Sequence, residues 1–321
     1  MQKEKEEMTA AAPMVVKRVY PVDKHRFNVA AWINPITKHT VLIGRQLDHK
    51  GSTGEPDFSR LVLTEMDEAE NIIFEKVIWE NLEDHVLFED PRAMIIDNNH
   101  IVIGLSALLR SKTGFDPYPA ILKIDLDDWN HDVPPPMIIL NFGPGKNLTP
   151  VDDNHFLFRP EGASYSHRLI VFCTDDHVPV KTQDLFFPTD LPWALWRIGT
   201  SIPPIWINES EAIMIFHGIS MDKNKYIYSL GKARLSKEND HYQIQVAREP
   251  ILTPDDIKRK YKSIESKELH PRLRRVLYAC GGIHDSSNPD ILKLLVNVGD
   301  SDTYKFEISI KELKKGLFPK E

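Results

Sequence analysis

The amino-acid sequence predicts an all-β protein and, within that class, a β-propeller. Short runs rich in β-branched and aromatic residues alternate with clusters of Gly, Pro, Asn and Asp, the pattern of strands joined by turns. Helical patterns are few. An apolar hairpin, a loop and a second hairpin recur at a spacing of roughly 40–50 residues, the length of a propeller blade. This recurrence favours a propeller over a sandwich or a barrel, which the short strands alone would equally allow.

The predicted strands follow one another from residue 40 to residue 298. They are residues 40–44, 93–96, 100–105, 119–124, 155–158, 168–172, 212–216, 226–230 and 292–298. The clearest hairpin joins residues 93–96 to residues 100–105, because the intervening Asp97, Asn98 and Asn99 tolerate the left-handed backbone of a tight turn. Two helices are expected, one over residues 255–268 and a short one over residues 309–315.

The composition is that of an ordinary globular chain. Its 321 residues carry 40 Lys and Arg against 47 Asp and Glu, and the formal net charge is −7. This acidic balance argues against nucleic acid or an anionic membrane as a partner, because both bind basic surfaces. No apolar run has the length of a membrane span or the placement of a secretory signal, so we expect a cytoplasmic protein.

No linker divides the sequence into separate units. We expect the charged residues 1–18 to form a flexible N-terminal tail and residues 19–321 to form a single propeller domain of catalytic type. Cys173 and Cys280 lack the spacing of a zinc site or a redox pair, and we expect two reduced, buried thiols. The His, Asp and Glu residues match no metal-binding motif, so no metal is expected.

Four segments place polar residues inside apolar strand contexts. The first is Glu89-Asp90-Pro91-Arg92, directly before the clearest hairpin, where buried carboxylates cost free energy unless they are paired or functional. A structural ion pair of Arg92 with either acid would also explain this segment. The other three fall within residues 147–162, 198–218 and 228–254. Residues 143–147 resemble a phosphate loop but lack its first glycine and its Ser or Thr, so we exclude that motif.

In this order, the segments resemble glycoside hydrolase family 130, the β-mannoside phosphorylases and related β-mannosidases. Residues 89–92 match the EDPR motif of the family. Its Gly-x-Gly-Pro-Pro-Pro-Ile, Tyr-His-Gly and Tyr-x-Leu-Gly-Ala segments are approximated at residues 199–205, 216–218 and 228–232. Cys280-Gly281 and Ser301-Asp302 match two later motifs, and Phe27-Asn28 with Arg45 echo the opening one. The resemblance covers almost the whole chain and implies a five-bladed β-propeller with its active site in the central cavity.

The resemblance also implies inverting cleavage of a β-mannosidic bond. The aspartate of the EDPR motif is the general acid of the family, hence Asp90 here, and it must be protonated when the sugar binds. Inorganic phosphate, the co-substrate of the phosphorylases, needs cations and donors around it. The candidates for phosphate binding are Arg159, His217, Tyr228 and Arg168. The candidates for substrate binding are Asn28, Arg45, Glu89, Arg92, Trp206 and Asp302.

Trp206 marks a departure from the family pattern. The phosphorylases carry at this point a lysine that helps to bind phosphate, so its replacement weakens the case for phosphorolysis. A tryptophan here would stack on a sugar ring or simply pack between two blades.

Three functions therefore stay open. The first is phosphorolysis of β-mannosides to α-mannose 1-phosphate. The second is an inverting β-mannosidase, in which a carboxylate activates water across a gap of roughly 6.5–9.5 Å. Glu161 is the preferred base, ahead of Glu209 and Glu211, which fit an exposed hairpin turn. The third is a non-catalytic carbohydrate-binding propeller. The expected partner is a small oligosaccharide, a β-mannoside, with no cofactor beyond phosphate as a co-substrate, and a homo-oligomer is left open.

Overall fold

The structure of the protein is a computed structural model, and it describes most of the chain. The described residues are 16–20, 26–49, 58–80, 86–112, 114–126, 136–162, 164, 166–175, 178–223, 225–260, 275–285, 287–299 and 302–319. Within these ranges the chain consists mainly of β-strands, as the strand and turn patterns of the sequence predict.

Five antiparallel sheets form the blades of a β-propeller, which confirms the predicted fold class. After strand β1 (Val16–Arg18), blade 1 contains β2 (Arg26–Ile33), β3 (Thr40–His49), β4 (Phe58–Met66) and β5 (Ile72–Trp79). Blade 2 contains β6 (Val86–Ile95), β7 (His100–Ser111), β8 (Gly114–Asp125) and β9 (Met137–Ile139). Blade 3 contains β10 (Gly145–Pro150), β11 (His155–Pro160), β12 (Arg168–Asp175) and β13 (Val178–Phe186).

The last two blades complete the ring. Blade 4 contains β14 (Arg197–Thr200), β15 (Ile205–Trp206), β16 (Glu211–Asp222), β17 (Lys225–Glu238) and β18 (His241–Val246). Blade 5 contains β19 (Leu277–His284), β20 (Ile291–Val298), β21 (Asp302–Ser309) and, as its fourth strand, β1.

The first strand of each blade lies innermost. Strand β2 contacts both β6 and β19, and β10 contacts both β6 and β14. These contacts link neighbouring blades through their first strands. Side chains of the five first strands therefore converge on the axis of the propeller.

Strand β1 closes the ring, because it joins the beginning of the described chain to the last blade. It pairs antiparallel with β21, with Lys17 opposite Lys305 and Arg18 opposite Tyr304. Residues 16–18 of the predicted tail are therefore part of blade 5, since the edge of β21 offers main-chain groups for pairing. Residues 1–15 lie outside the described residues.

The hydrophobic core is divided among the interfaces between blades. Buried side chains form separate clusters between blades 1 and 2, 2 and 3, 3 and 4, 4 and 5, and 5 and 1. The middle strands of the blades bury both faces against the neighbouring blades, and β7 and β16 are accordingly buried along most of their length. The outer strands β5 and β18 keep part of their side chains exposed. This division of the core leaves the axis free for polar residues.

The local predictions hold with different boundaries. The hairpin predicted at residues 93–105 is confirmed by the pairing of β6 with β7. Helix α1 (Pro254–Lys260) covers the beginning of the longer predicted helix, whose residues 261–268 lie outside the described residues. Helix α2 (Ile310–Lys314) starts after Ser309, whose side chain accepts a hydrogen bond from the Glu312 amide. No disulfide joins Cys173 and Cys280, and Cys173 is half-buried rather than buried.

No helix among the described residues is long and apolar enough to cross a membrane.

Candidate active site

A cavity of about 340 Å³ lies where the first strands of the blades converge. Its lining is rich in charged and hydrogen-bonding side chains, which suits a hydroxylated or anionic ligand better than an apolar one. The charged residues in the lining are Arg45, Glu89, Asp90, Lys146, Arg159, Glu161 and Arg197. The others are Asn28, Asn147, Trp196, His217, Ile219, Tyr226, Tyr228, Val276 and Tyr278.

Three of the innermost strands carry a β-bulge beside the cavity. The register shifts between Phe27 and Ala30 in β2, between Glu89 and Arg92 in β6, and between Lys146 and Thr149 in β10. Each bulge contains one residue with a left-handed backbone that lines the cavity. These residues are Asn28 (φ 52°), Asp90 (φ 56°) and Asn147 (φ 62°). The bulges thus aim one polar side chain from each of blades 1, 2 and 3 into the cavity.

The left-handed conformation of Asp90 is costly for its sequence context. Asp90 precedes Pro91, and a residue before proline prefers an extended backbone. Backbone strain of this kind persists where the surrounding structure enforces it, and it is common at functional sites. Asp90 is therefore held in place by its neighbours rather than by its local sequence.

Both carboxylate oxygens of Asp90 accept hydrogen bonds. Asn28 donates from Nδ2 to Oδ1 over 2.5 Å, and the Tyr278 hydroxyl donates to Oδ2 over 3.2 Å. The Arg45 guanidinium lies 3.7 Å from Oδ1. Asp90 keeps 8% of its surface exposed, so the carboxyl remains open to the cavity while its orientation is fixed.

Arg92 supports the bulge from behind and does not line the cavity. Its side chain is fully buried, and it donates to the Asp90 carbonyl over 2.7 Å and to the Ser201 carbonyl over 2.8 Å. It also donates to the Tyr278 hydroxyl. Arg92 therefore forms no ion pair with Glu89 or Asp90, because its donors bind main-chain carbonyls and the Tyr278 hydroxyl.

Glu89 bridges two cations on one side of the cavity. Its carboxylate lies 2.7 Å from Arg45 and 3.1 Å from Lys146. Burial raises the pKa of Glu89, but the positive charges of Arg45 and Lys146 outweigh that effect and hold the pKa below its ordinary value. The Glu89 charge in turn raises the pKa of Lys146. This side of the cavity is thus a charged and fully ionised cluster.

Glu161 bridges two other cations. Its carboxylate lies 3.1 Å from Arg159 and 2.9 Å from Arg197. Burial raises the pKa of Glu161, but the two arginines more than compensate and lower it. A carboxylate stabilised in this way is a weak proton acceptor at neutral pH. Guanidinium groups have several N–H donors, so two arginines that already hold one carboxylate can also bind a second anion.

His217 completes the polar wall beside Arg159. Burial, together with the charges of Arg159 and Arg92, holds the pKa of His217 well below its usual value, so the imidazole is neutral. Its ring stacks on Tyr228, with ring centroids 5.8 Å apart. Gly199 lies against it, since a Cβ at residue 199 would come within 2.5 Å of Asn147 Oδ1 and 2.7 Å of His217 Nε2. Only glycine leaves room for both side chains at this point.

The cavity brings together most of the residues that the sequence singles out. Asn28, Arg45, Glu89, Asp90, Arg159, Glu161, His217 and Tyr228 all line it. Four residues lie elsewhere. Arg168 lies in β12 and pairs with Asp184 over 3.1 Å, Asp302 begins β21 and pairs with Arg18, and Arg92 lies behind the bulge. Trp206 packs between blades 3 and 4, and its indole donates to the Val151 carbonyl over 3.0 Å.

The alternative catalytic bases also differ in position. Glu209 lies in the exposed turn before β16, as the sequence predicts, and Glu211 is the first residue of β16. Both lie outside the lining of the cavity. Glu211 is half-buried and pairs with Arg234 on the neighbouring strand.

Several cavity residues are not among the candidates named from the sequence. Lys146 and Asn147 belong to the segment excluded as a phosphate loop, and Lys146 lies at a β-bulge in β10 rather than at the start of a helix. Asn147 also begins one of the four segments described above, where no role was assigned to it. Tyr278 lies two residues before Cys280-Gly281, which the family resemblance already marks. Arg197 and Trp196 precede the segment 199–205. In each case the residue adjoins a recognised motif, and the local pattern gives no sign that its side chain turns toward the axis.

Comparisons with solved structures find proteins that share this fold. No family profile and no curated protein matches the sequence. Among solved structures, the β-1,2-mannobiose phosphorylase from Listeria innocua in complex with β-1,2-mannobiose has a TM-score of 0.67 at 15% identity, over 95% of this chain and 99% of that chain. A mannose phosphorylase from Leishmania mexicana in complex with phosphate has a TM-score of 0.58 at 13% identity, over 100% and 96%.

A third similar structure belongs to work on the GH130 family of mannoside phosphorylases. That work describes glycoside hydrolases of the family that target β-1,2 mannosidic linkages in Candida mannan. The structure has a TM-score of 0.63 at 15% identity, over 90% of this chain and 85% of that chain. At such identities the likeness concerns the fold. The chain therefore shares the propeller fold of the GH130 mannoside phosphorylases and hydrolases that its motifs resemble.

Proposed function

We propose that the protein is a carbohydrate-active enzyme that cleaves β-mannosides by inverting phosphorolysis and releases α-mannose 1-phosphate. One observation carries the proposal. The carboxyl of Asp90, oriented by Asn28 and Tyr278, opens into a cavity that also contains the paired guanidinium groups of Arg159 and Arg197. A general acid and an anion site in one cavity are the two requirements of this reaction.

In the proposed reaction, Asp90 supplies the proton that the leaving group needs. The C–O bond between the anomeric carbon and the glycosidic oxygen breaks, and the proton of Asp90 reaches that oxygen, by relay through a mannose hydroxyl as the family resemblance implies. A phosphate oxygen attacks the anomeric carbon from the opposite face, which inverts the configuration. The proton of monohydrogen phosphate returns to Asp90 at the end of the cycle, so no proton is gained or lost.

The proposed phosphate site consists of Arg159, Arg197, His217 and Tyr228. The two guanidinium groups supply positive charge for phosphate, which the Glu161 carboxylate offsets in part, and neutral His217 offers one N–H donor without adding charge. Arg197, rather than the Arg168 expected from the sequence, is the second arginine of this proposed site. It also provides a cation in place of the family lysine whose position Trp206 occupies.

The opposite side of the cavity is the proposed mannose site. Asn28, Arg45, Glu89 and Asp90 place donors and acceptors close together there, as sugar hydroxyls require. The ion pairs of Glu89 with Arg45 and Lys146 fix these side chains relative to one another, which favours a single orientation of the bound sugar.

Hydrolysis by an inverting β-mannosidase is the second candidate. The presence of Glu161 in the same cavity as Asp90 favours it, because inverting hydrolysis needs a second carboxylate. The ion pairs of Glu161 with two arginines argue against it, since they lower the pKa of the carboxyl that would have to accept a proton. We therefore place phosphorolysis first.

The deciding experiment is an incubation of the purified protein with β-1,2- and β-1,4-mannobiose, with and without phosphate. Anion-exchange chromatography separates the products, and Asp90→Asn is the control. Mannose 1-phosphate that forms only with phosphate, and is absent from the variant, supports the proposal. Free mannose formed equally in both buffers supports the hydrolase. Glycan binding without any product in either buffer would overturn both and leave a binding protein.

A further inference from the structure

The hydroxyl of Tyr278 is the point where side chains of three blades meet beside Asp90. Tyr278 lies in β19 of blade 5, and its side chain is buried. Arg92 of blade 2 donates to the hydroxyl, and Nδ2 of Asn147 in blade 3 donates to it over 2.6 Å. The hydroxyl itself donates to Oδ2 of Asp90 over 3.2 Å. One oxygen atom therefore takes part in three hydrogen bonds.

The direction of these three hydrogen bonds is fixed by the chemistry of the partners. A guanidinium group and an amide NH₂ group can only donate, so the Tyr278 oxygen accepts from Arg92 and from Asn147. The proton of the hydroxyl is then left for the Asp90 carboxyl. Because both acceptor positions of the hydroxyl are occupied, Tyr278 cannot also accept a hydrogen bond from Asp90.

This fixed direction determines where Asp90 carries the proton that it delivers. Oδ1 of Asp90 lies 2.5 Å from Nδ2 of Asn28 and 3.7 Å from the Arg45 guanidinium, and a nearby positive charge disfavours protonation of the oxygen that it faces. The proton therefore belongs on Oδ2. Tyr278 occupies one lone pair of Oδ2 as a donor, so the proton takes the other lone pair and is not sequestered in a hydrogen bond to the tyrosine.

We propose that Tyr278 is a positioning residue that keeps the acid proton of Asp90 available to the leaving group. After the proton has left, the same hydrogen bond stabilises the carboxylate that remains. Tyr278 keeps its own proton throughout, so the proton balance of the reaction is unchanged. This inference rests on the proposed function, because it takes Asp90 to be the general acid. It requires Tyr278 to matter chiefly where the leaving group needs a proton.

The test compares two leaving groups in Tyr278→Phe, which removes the hydroxyl and keeps the ring that packs edge-on against His217. A mannose leaving group needs a proton, whereas para-nitrophenolate leaves readily without one. We expect kcat for phosphorolysis of mannobiose to fall about tenfold to a hundredfold, and kcat for para-nitrophenyl β-mannoside to fall less than about threefold. Tyr242→Phe is the matched control, because its hydroxyl is also buried but lies between blades 3 and 4, outside the cavity lining.

The outcomes separate failure of this inference from failure of the proposed function. Equal losses on both substrates in a folded Tyr278→Phe variant, or no loss on either, overturn the role of Tyr278 and leave the proposed function standing. A wild type that releases no product from mannobiose overturns the proposed function and this inference with it.

Thermal unfolding shows whether Tyr278→Phe is folded. If it is not, Asn147→Gly replaces it, because glycine accepts the left-handed backbone of residue 147 and the variant removes one donor to the Tyr278 hydroxyl. The hydroxyl can then accept a hydrogen bond from Asp90, and the same difference between leaving groups is expected. Absence of that difference overturns the inference.

Discussion

Asn28 and Asp90 form a matched pair across the boundary between blades 1 and 2. Both have a left-handed backbone at a bulge of an innermost strand, and Nδ2 of Asn28 lies 2.5 Å from Oδ1 of Asp90. Asn28 is itself held by Asn297 of blade 5. The Asn297 side chain donates to Asn28 Oδ1 over 2.7 Å and accepts from the main-chain N–H of Asn28 over 2.8 Å. Three blades thus determine the orientation of one carboxyl.

Replacement of Asn28 tests whether catalysis, and not only folding, depends on the orientation of Asp90. Asn28→Gly keeps the left-handed backbone accessible and removes the amide that donates to Asp90, so we expect kcat to fall about a hundredfold with a folded protein. Steady-state kinetics and thermal unfolding check this. Lys38→Gly, at another left-handed residue on an exposed turn, should behave as the wild type. Unchanged kcat in Asn28→Gly would contradict the role given to Asn28.

Glu161→Gln distinguishes the two proposed reactions. If phosphate binds between Arg159 and Arg197, the variant removes a competing negative charge and should lower the apparent KM for phosphate several-fold while turnover persists. The measurement is the initial rate as a function of phosphate concentration. If Glu161 is instead the base of a hydrolase, the same variant loses turnover. Glu211→Gln is the control, because Glu211 lies outside the cavity lining and pairs with Arg234.

The Glu89 cluster predicts a dependence of stability on pH. Burial opposes ionisation of Glu89, yet Arg45 and Lys146 together lower its pKa from 4.5 to about 2. Because the folded protein binds this proton less well than the unfolded chain, the cluster stabilises the fold at pH values above about 4.5. That contribution is lost as the pH falls toward 2, and it is on the order of 3 kcal/mol at neutral pH.

Urea unfolding of wild type and Glu89→Gln at pH 7, 4.5 and 3 measures this contribution. The difference in the free energy of unfolding between the two proteins should be greatest at pH 7 and should narrow by about 2 kcal/mol at pH 3. A difference that stays constant over this range would show that ionised Glu89 contributes nothing specific.

Gly199 should tolerate no side chain. A Cβ there would lie 2.5 Å from Asn147 Oδ1 and 2.7 Å from His217 Nε2, and both groups line the cavity. Gly199→Ala should therefore cost about 1–3 kcal/mol of stability and displace His217, with loss of activity. Thermal unfolding and an activity assay check this. In Gly282→Ala, the new Cβ meets only the flexible end of Ile202 within 3 Å, so this variant should retain activity.

Local pattern predicted much of the fold because the signals lie within a few residues. The hairpin around Asp97 and the cap at Ser309 are examples, since turn and cap chemistry depends on adjacent residues. The sequence also identifies residues 89–92 as a candidate site, because carboxylates next to a buried hairpin cost free energy unless they are paired or functional. By contrast, Arg168 and Trp206 are candidates from the sequence that do not line the cavity, because Arg168 pairs with Asp184 and Trp206 packs between two blades.

The sequence by itself determined the class of fold, the succession of strands and the presence of a carboxylate motif at residues 89–92. That motif and the segments after it resemble those of glycoside hydrolase family 130. Only the tertiary structure decided which residues meet. Tyr278 reaches Asp90 across 188 residues, Lys146 reaches Glu89 across 57, and Asn297 reaches Asn28 across 269. Such contacts arise from closure of the ring of blades and from bulges that turn side chains toward the axis. Neither ring closure nor the bulges can be predicted from residues adjacent in the sequence. The periodicity of a strand distinguishes its two faces, but it does not indicate which distant strand each face will contact.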